Sequence, residues 1–318
     1  MDGREGPKGP EPTTSCVTCH TRYAEQILDA PEQRPSGNAG SLESTDPRAR
    51  GETPMDEEPP VDLTRPSIAR VYDFFLGGNL SSEADRQVAG EILAAMPDLP
   101  EILRANRAFA VRAVRFLAEA GVRQFLDLGS GLATAGATHE VVRAAGVDAR
   151  VLYVDNDPVV TAHNSTLAPE HTCAVLRADL RDTAGVLASP EARSLLDFDE
   201  PIAVLMIAVL HFIDHADRPA DIVARYRDAL APGSFLALTH AENAERLPGT
   251  FEAARVYSRG VAQIHLRTRA EISAFLDGWS LVAPGLVPTP DWHPDQAAPV
   301  RSTVRQHGMA AVARKEHP

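Results

Sequence analysis

The sequence predicts an α/β protein built on a mostly parallel, doubly wound sheet. From residue 123 onward, short apolar runs alternate with stretches of helical periodicity, and each run has the length of a buried strand. Alternation of this kind places helices on both faces of a parallel sheet. Two later runs, 281–287 and 309–313, are expected to form an antiparallel pair that closes the sheet. The five parallel strands are predicted at 124–128, 151–154, 174–176, 202–207 and 235–239.

The composition and charge exclude several classes of protein. The chain has 318 residues, of which 44% are hydrophobic and 24% charged, so collagen-like, coiled-coil and wholly disordered chains are excluded. The 31 basic and 44 acidic residues give a net charge of −13, which repels phosphate backbones and anionic lipid, so neither nucleic acid nor a membrane is an expected partner. The longest apolar run, 202–210, is shorter than the roughly 20 residues that span a bilayer.

Residues 1–63 are predicted to be a disordered, acidic, proline-rich tail, followed by one domain at 64–318. Residues 1–60 contain 6 basic and 12 acidic side chains, and 10 of the 25 prolines lie between Pro7 and Pro66. Apolar residues are sparse there, so burial cannot offset the entropy of ordering.

The tail contains Cys16-Val-Thr-Cys19-His20, which has the spacing of a c-type haem attachment motif. No export signal or folded haem pocket accompanies it, so a chance match is favoured over a redox-labile thiol pair or an intermolecular metal site. We expect a cytoplasmic location, because the three cysteines are odd in number and no leader is visible. No resident metal is expected, because a zinc site at this motif would need a second pair of ligands at suitable spacing.

Three helices are predicted ahead of the sheet. The first spans Ser67–Leu76 and ends at two glycines. The second starts near Ser82, which has the spacing of a capping box with Asp85. The third, about 100–120, has apolar residues at helical spacing.

A glycine turn follows the first strand, in the segment Asp127-Leu-Gly129-Ser130-Gly131. Glycines let a ligand approach the backbone, and the helix that follows offers free N–H groups. A dinucleotide-binding turn carries a third glycine where Thr134 stands, and here an acidic residue precedes the turn. Both facts disfavour NAD and FAD.

Acidic residues follow the second and third strands. Asp155 lies 24 residues after the second glycine of the turn, where a carboxylate can accept from both hydroxyls of a ribose. Asp179 can accept from an adenine amino group while Leu180 lines the ring, although Asp179 could instead cap the next helix. Asp157 and Asp182 are expected to cap helices.

Histidines follow the fourth and fifth strands. His211 could serve as a general base, and it could equally orient a loop or pack under a cofactor. His240 is a second candidate for the same roles. His139, His163 and His171 fall away from this edge of the sheet and are expected to be solvated.

The convergence of these residues on one sheet edge resembles the Rossmann-like class of S-adenosylmethionine-dependent methyltransferases. Over about residues 64–315 the chain more closely resembles a bacterial family called S-adenosyl methyltransferase, formerly a domain of unknown function. The resemblance implies a seven-stranded sheet with a helical N-terminal lid. The segments that carry it are Pro66 to Gly78, Ala105 to Phe109, Phe125 to Gly129, Tyr153 to Pro158, Ala208 to Phe212 and Leu230 to Ser234.

The resemblance also implies a cofactor, S-adenosyl-L-methionine, and a set of residues that bind it. His211 is the first candidate base, with Tyr72 and His240 behind it. Arg107 is expected to pair with the methionine carboxylate or with an acidic acceptor, or to form a surface ion pair. The residues expected to bind the cofactor are Asp127, Gly129, Ser130, Gly131, Asp155, Asn156, Asp179, Leu180, Ala208 and Arg107.

The expected reaction is in-line methyl transfer to a small-molecule acceptor, which requires orientation and exclusion of water. A catalytically silent cofactor-binding module and an NAD-linked oxidoreductase are the alternatives. Residues 79–82, Asn-Leu-Ser-Ser, stand where the family pattern reads like Lys-Asp-Asn-aromatic, so specificity or activity changes if this loop touches the acceptor. The oligomeric state is open.

Overall fold

A computed structural model of the protein describes residues 62–134, 136–167, 171–243, 249–294 and 304–316. The predicted tail and its Cys16, Cys19 and His20 lie outside these residues. The described residues form the predicted α/β fold, with an eight-stranded sheet in the order β3-β2-β1-β4-β5-β8-β6 and with β7 also paired to β8. The strands are β1 (Gln124–Leu128), β2 (Arg150–Asp155), β3 (Cys173–Arg177), β4 (Ala203–Met206), β5 (Phe235–Ala241), β6 (Ser280–Leu281), β7 (Val287–Pro288) and β8 (Gly308–Arg314).

The first five strands are parallel, and β8 pairs antiparallel with β5. The strand order reverses at β1, whose two neighbours are β2 and β4, and this reversal is the switch point at which α/β sheets bind ligands. The prediction of one strand at 281–287 is wrong. A turn in which the Gly285 amide donates to the Val282 carbonyl divides this run into β6 and β7, which both pair antiparallel with β8 and raise the strand number from seven to eight.

The three predicted helices ahead of the sheet are present. The first and third end within one residue of their expected positions, and the second starts directly after Ser82. Short 3-10 turns lie at Leu210–Phe212, His215–Asp217, Thr289–Asp291 and Val304–Gln306. Among the described residues, no helix combines the length and the apolar character needed to cross a bilayer. The helices are α1 (Ile68–Phe75), α2 (Glu83–Ala95), α3 (Leu99–Glu119), α4 (Thr138–Ala144), α5 (Pro158–Leu167), α6 (Thr183–Ala188), α7 (Pro190–Leu195), α8 (Pro219–Ala229), α9 (Thr250–Gly260) and α10 (Arg269–Ala274).

Alternating side chains of the strands enter two apolar layers, one on each face of the sheet. Leu126 and Leu152 belong to one layer, whereas Phe125 and Val151 belong to the other. This alternation follows from the two-residue repeat of a strand, and burial of both faces explains why the strands read as continuous apolar runs. A third apolar cluster joins the three N-terminal helices to α9 and forms the lid.

A buried ion pair holds the lid helices together. Arg70 of α1 and Asp85 of α2 are 3% and 0% exposed, and their Nε and Oδ2 atoms are 2.6 Å apart. The Asp85 carboxylate also accepts from the amides of Ser67 and Ser82, which completes the predicted capping box. Burial alone raises the pKa of Asp85, but these hydrogen bonds outweigh it and hold the pKa below its ordinary value.

One hydrogen bond joins the lid to the sheet. The hydroxyl of Ser67, which caps the start of α1, donates to Oδ2 of Asp157 at 2.6 Å. The other oxygen of Asp157 accepts from the Val159 amide at 2.8 Å, so Asp157 has the predicted capping role at the start of α5. The lid is therefore tied to the end of β2.

We predict that Asp85→Asn lowers the free energy of unfolding by about 3–5 kcal/mol, because it leaves the Arg70 guanidinium buried without a counter-charge. Urea denaturation followed by circular dichroism measures the change. The matched control is Glu83→Gln on the same helix, since Glu83 is 86% exposed and, in the described part of the chain, pairs with Arg86, three residues away. That control is expected to change stability by less than about 0.5 kcal/mol. Equal effects of the two substitutions would contradict the assignment.

Candidate active site

A cavity of about 470 Å³ lies at the carboxyl edge of the sheet, beneath the lid. This volume is within the range of small-molecule sites. All of the residues that the sequence predicts for binding and catalysis line it. They are Tyr72, Arg107, Asp127, Gly129, Ser130, Gly131, Asp155, Asn156, Asp179, Leu180, Ala208 and His211.

The glycine turn after β1 is tied to the end of β2. The amides of Gly129 and Ser130 donate to the Val154 carbonyl at 2.8 and 3.1 Å. Gly129 has a φ of +69°, and a Cβ atom at this position would collide with the side chain of Val209. Only glycine satisfies both the backbone conformation and this close approach.

Asn164 holds the other side of the glycine turn, and sequence reasoning missed it. Its side chain is fully buried, Oδ1 accepts from the Ala133 amide at 2.8 Å, and Nδ2 donates to the Gly131 carbonyl at 2.9 Å. The signal was available, because Asn164 lies four residues after Val160 on the buried face of α5. A polar side chain on such a face needs a partner.

Asp155 lines the cavity at the end of β2, as predicted. Oδ2 accepts from the Gly131 amide at 2.9 Å, and Oδ1 accepts from the Asp157 amide at 3.0 Å. Burial raises the pKa of Asp155 above its ordinary value. Each carboxylate oxygen has a further lone pair, so Asp155 can still accept from two hydroxyl groups of a ligand.

Asp179 lies at the end of β3 and pairs with Arg181. The Asp179 Oδ2 and Arg181 Nη2 atoms are 2.6 Å apart, and Arg181 also bonds to Asp217 at 2.8 Å. The hydrogen bonds from Arg181 hold the pKa of Asp179 below its ordinary value, so this carboxylate remains an acceptor. It does not cap the next helix; Asp182 does so, accepting from the Gly185 amide at 3.0 Å as predicted.

Opposite charges face each other beside the glycine turn. Asp127 accepts from the Thr138 hydroxyl at 2.8 Å. Burial raises the pKa of Asp127 to about 6, although the Thr138 bond and the positive charge of Arg107 act in the opposite direction. The Nε atom of Arg107 is buried and has no hydrogen-bond partner among the described residues. The alternative role of Arg107 in a surface ion pair therefore has no support in the described part of the chain.

His211 is a neutral imidazole at the end of β4. Burial and then the charge of Arg267 lower its pKa to about 3. Its Nδ1 atom is buried and unpaired within the described residues. The chain reaches His211 through Ala208, which has a φ of +54° and donates its amide to the Thr239 hydroxyl at 2.8 Å. A left-handed alanine is uncommon and redirects the chain after the strand.

A buried arginine supports the turn that carries His211. Arg267 is 1% exposed and donates to the carbonyls of Leu210 and Ile213 at 2.8 and 2.7 Å. Its Nη1 also lies 2.9 Å from Nε2 of His240, whose Nδ1 lies 2.8 Å from the Ala241 carbonyl. A carbonyl can only accept, so Nδ1 carries the proton and Nε2 accepts from Arg267. Both nitrogens of His240 are thus engaged, and no sequence pattern indicated Arg267.

Tyr72 lines the cavity, whereas the loop at 79–82 lies outside its lining. The Tyr72 hydroxyl accepts from Asn106 Nδ2 at 2.9 Å, and burial raises its pKa, so it keeps its proton at neutral pH. None of residues 79–82 lines the cavity. Instead, Ser82 caps α2, and the Leu80 amide donates to Asp73 at 3.2 Å.

The prediction that His139 and His163 are solvated is wrong. Both are buried, with exposures of 8% and 4%. The Nδ1 atom of His139 lies 2.7 Å from the Tyr153 hydroxyl, because α4 packs this face against the sheet. His171 is exposed, as predicted.

Comparisons with known proteins agree with this geometry. The model of the S-adenosyl methyltransferase family matches residues 54–316. The fold is similar to a putative methyltransferase from Thermobifida fusca YX, with 42% identity and a TM-score of 0.77 over 80% of this chain and 97% of that one. It is also similar to a DUF574 family protein from Streptomyces avermitilis MA-4680, with 38% identity and a TM-score of 0.76 over 80% and 99%. A comparison with curated proteins gives no match.

We predict that Asp127→Asn stabilises the ligand-free protein at neutral pH. The pKa of Asp127 is higher in the folded protein than in the unfolded chain, so protonation of Asp127 stabilises the fold. This stabilisation is complete below the unfolded pKa of about 4 and is lost as the pH rises through the folded pKa of about 6. The asparagine side chain that replaces Asp127 is neutral at every pH. The melting temperature of the variant should therefore exceed that of the native protein at neutral pH, and the difference should close in acid.

Calorimetric melting across this pH range measures the effect, after removal of bound small molecules. The control is Asp148→Asn, because Asp148 is exposed between α4 and β2. A pH-independent difference for Asp127→Asn, or an equal shift for the control, would contradict the prediction.

Proposed function

The chain belongs to the S-adenosyl methyltransferase family and is an S-adenosylmethionine-dependent methyltransferase, and on that premise we propose that it methylates a small molecule bound beneath the lid. The observation that carries the proposal is that helices of the lid cover the sheet edge, so one cavity extends from the glycine turn to α1, α3 and α9. A covered cavity of this size suits small ligands and excludes water from the reacting groups.

The residues beside the glycine turn fit the amino-acid part of the donor. Arg107 has a buried donor atom that is unpaired among the described residues, and Asp127, whose pKa burial raises to about 6, is mostly ionised at neutral pH. This pair complements a group that carries one carboxylate and one ammonium. We assign the carboxylate to Arg107 and the ammonium to Asp127, with the backbone of Gly129, Ser130 and Gly131 alongside.

The remaining edge residues fit a nucleoside. Asp155 has the free lone pairs to accept from two ribose hydroxyls, and Asn156 lies beside it on the cavity wall. Asp179 is an ionised acceptor for an amino group, and Leu180 supplies an apolar surface for a base. Ala208 lies at the end of β4, between the nucleoside residues and His211. When bound there, the donor supplies a methyl group carried on a sulfonium.

The three candidate bases predicted from the sequence are better suited to orienting the substrates than to transferring protons. A general base works best with a pKa near the operating pH, and the pKa of His211 is about 3. We propose that His211 is a neutral hydrogen-bond partner that positions the acceptor. Tyr72 keeps its proton, and both nitrogens of His240 are engaged, so neither is assigned as a base.

We predict that Arg107→Gln weakens binding of S-adenosylhomocysteine by about 10- to 100-fold, because it removes a charge-assisted hydrogen bond worth about 1.5–3 kcal/mol. Binding of 5′-methylthioadenosine, which lacks the carboxylate and the α-amino group of the amino-acid part, should be unchanged. Asp155→Asn should weaken both ligands, since both contain the ribose. Isothermal titration calorimetry measures each constant.

The control for this series is Arg104→Gln, on the exposed face of α3 one turn earlier, which should bind both ligands as the native protein does. Equal losses for the two ligands in Arg107→Gln would assign the arginine to general stability and would contradict its role at the carboxylate.

The methylation of a small molecule is tested with S-adenosylmethionine that carries a radiolabelled methyl group and an extract of Streptomyces avermitilis, the organism of a 38% identical relative. The extract is treated with the native protein and passed through a membrane that retains macromolecules. We predict label in the filtrate that depends on the enzyme and falls with Asp155→Asn. Label on retained protein or nucleic acid would contradict a small acceptor, and binding of the donor without any transfer would indicate a silent module.

A further inference from the structure

One carboxylate that lines the cavity makes no side-chain hydrogen bond or ion pair in the described part of the chain and is not assigned to the donor. Glu242 follows β5, lines the cavity and is half-buried. Within the described residues its carboxylate makes neither a hydrogen bond nor an ion pair. Its backbone is fixed, because its amide donates to the His307 carbonyl at 3.0 Å and the residue forms an isolated bridge with Arg267. The side chain is therefore positioned by its neighbours but left free for a ligand.

The strand order places Glu242 on the acceptor side of the cavity. Across the sheet the order is β3, β2, β1, β4, β5, and the residues proposed for adenine, ribose and the glycine turn follow the first three of these strands. His211 follows β4, and Glu242 follows β5. Glu242 is thus at the end of the cavity edge furthest from the residues assigned to adenine.

The positive and titratable groups around Glu242 do not neutralise it. Arg267 is committed to two carbonyls and His240. Arg269 exerts an electrostatic effect on Glu242, but its guanidinium donates to the Leu286 carbonyl. His307 is kept neutral by burial, which lowers its pKa, and its Nδ1 lies 3.3 Å from the Thr250 hydroxyl. The Glu242 carboxylate is therefore available to a ligand that brings a positive charge.

The apolar surface of the same cavity suits an amine with an apolar body. Phe212 and Tyr257 line the same cavity, with ring centroids 5.8 Å apart and planes inclined by 32°. Aromatic faces attract cations as well as apolar groups. Asp73 also lines the cavity, but it is 3% exposed and accepts from the Leu80 amide, so it does not offer an open carboxylate.

We propose that Glu242 binds the ammonium group of the acceptor and removes its proton, so that the enzyme is an N-methyltransferase of small apolar amines. This inference rests on the proposed function and names its substrate class. Glu242 takes one proton from the ammonium, which frees the nitrogen lone pair. The nitrogen then forms a bond to the methyl carbon as the carbon–sulfur bond breaks, and the electron pair of that bond stays on sulfur, which becomes a neutral thioether. The product leaves as a methylammonium ion, and Glu242 releases its proton to water.

The first test identifies the atom that is methylated. Full-length enzyme and S-adenosylmethionine labelled with carbon-13 in the methyl group are incubated with the small-molecule fraction of the Streptomyces avermitilis extract, and products are observed by NMR. We expect a methyl signal at an N-methyl shift that moves with pH as the ammonium titrates. A methyl signal on oxygen, carbon or sulfur overturns the inference and leaves the proposed function intact. No labelled product in this fraction overturns both.

The second test assigns the role to Glu242. In Glu242→Gln we expect formation of the labelled product to fall by about 100-fold or more, the usual effect of losing a general base, together with loss of the acid limb of the kcat/KM profile. Calorimetry should give an unchanged affinity for S-adenosylhomocysteine, which shows that the variant is folded. The matched control is Glu200→Gln, exposed in the loop before β4 at the opposite edge of the sheet. Unchanged turnover in Glu242→Gln, or an equal loss in the control, overturns the inference.

Discussion

The glycine turn after β1 is the constraint on which the active site depends. Its backbone is held from two sides, by the end of β2 through Val154 and Asp155 and by helix α5 through Asn164. At Gly129 the chain has a left-handed conformation and passes so close to Val209 that no side chain fits. A turn fixed in this way brings the ends of β1, β2 and β4 into one wall, so that Asp127, Asp155 and His211 line a common cavity.

The cavity brings charged and titratable groups together beneath the helices of the lid. Burial raises the pKa of Asp127 and lowers that of His211, in the directions expected when a charged form loses its hydration. The positive charge of Arg267 also lowers the pKa of His211, whereas the positive charge of Arg107 acts against the rise in the pKa of Asp127. A charged donor can therefore be recognised by groups whose protonation states are set by the fold.

Most of the fold and much of the site could be predicted from the sequence, because both follow from short-range patterns. Strand β1 begins and ends where its apolar run does, and Ser82 caps α2 because the capping box is encoded within four residues. The strand-end positions of Asp155 and Asp179 also follow from the pattern. Periodicity could not reveal the division of 281–287, where the turn at Gly285 interrupts an apolar run.

Residues whose roles depend on distant parts of the chain could not be predicted in the same way. Arg267 reads as a loop residue, and its burial follows from carbonyls about 55 residues earlier that the fold brings to it. The burial of His139 depends on how α4 packs against Tyr153, and the engaged state of His240 depends on Arg267. The sequence gives the chemical type of each side chain, whereas long-range packing determines its surroundings.

The hydrogen bond between Ser67 and Asp157 has a consequence for how the chain folds. The two residues are 90 positions apart, and the acceptor oxygen reaches its place only when β1 and β2 have paired. Contacts between distant positions form late, since closing a long loop loses entropy before any contact compensates. We therefore expect this bond, which ties the lid to the end of β2, to form only after β1 and β2 have paired, so that the lid is fastened late in folding.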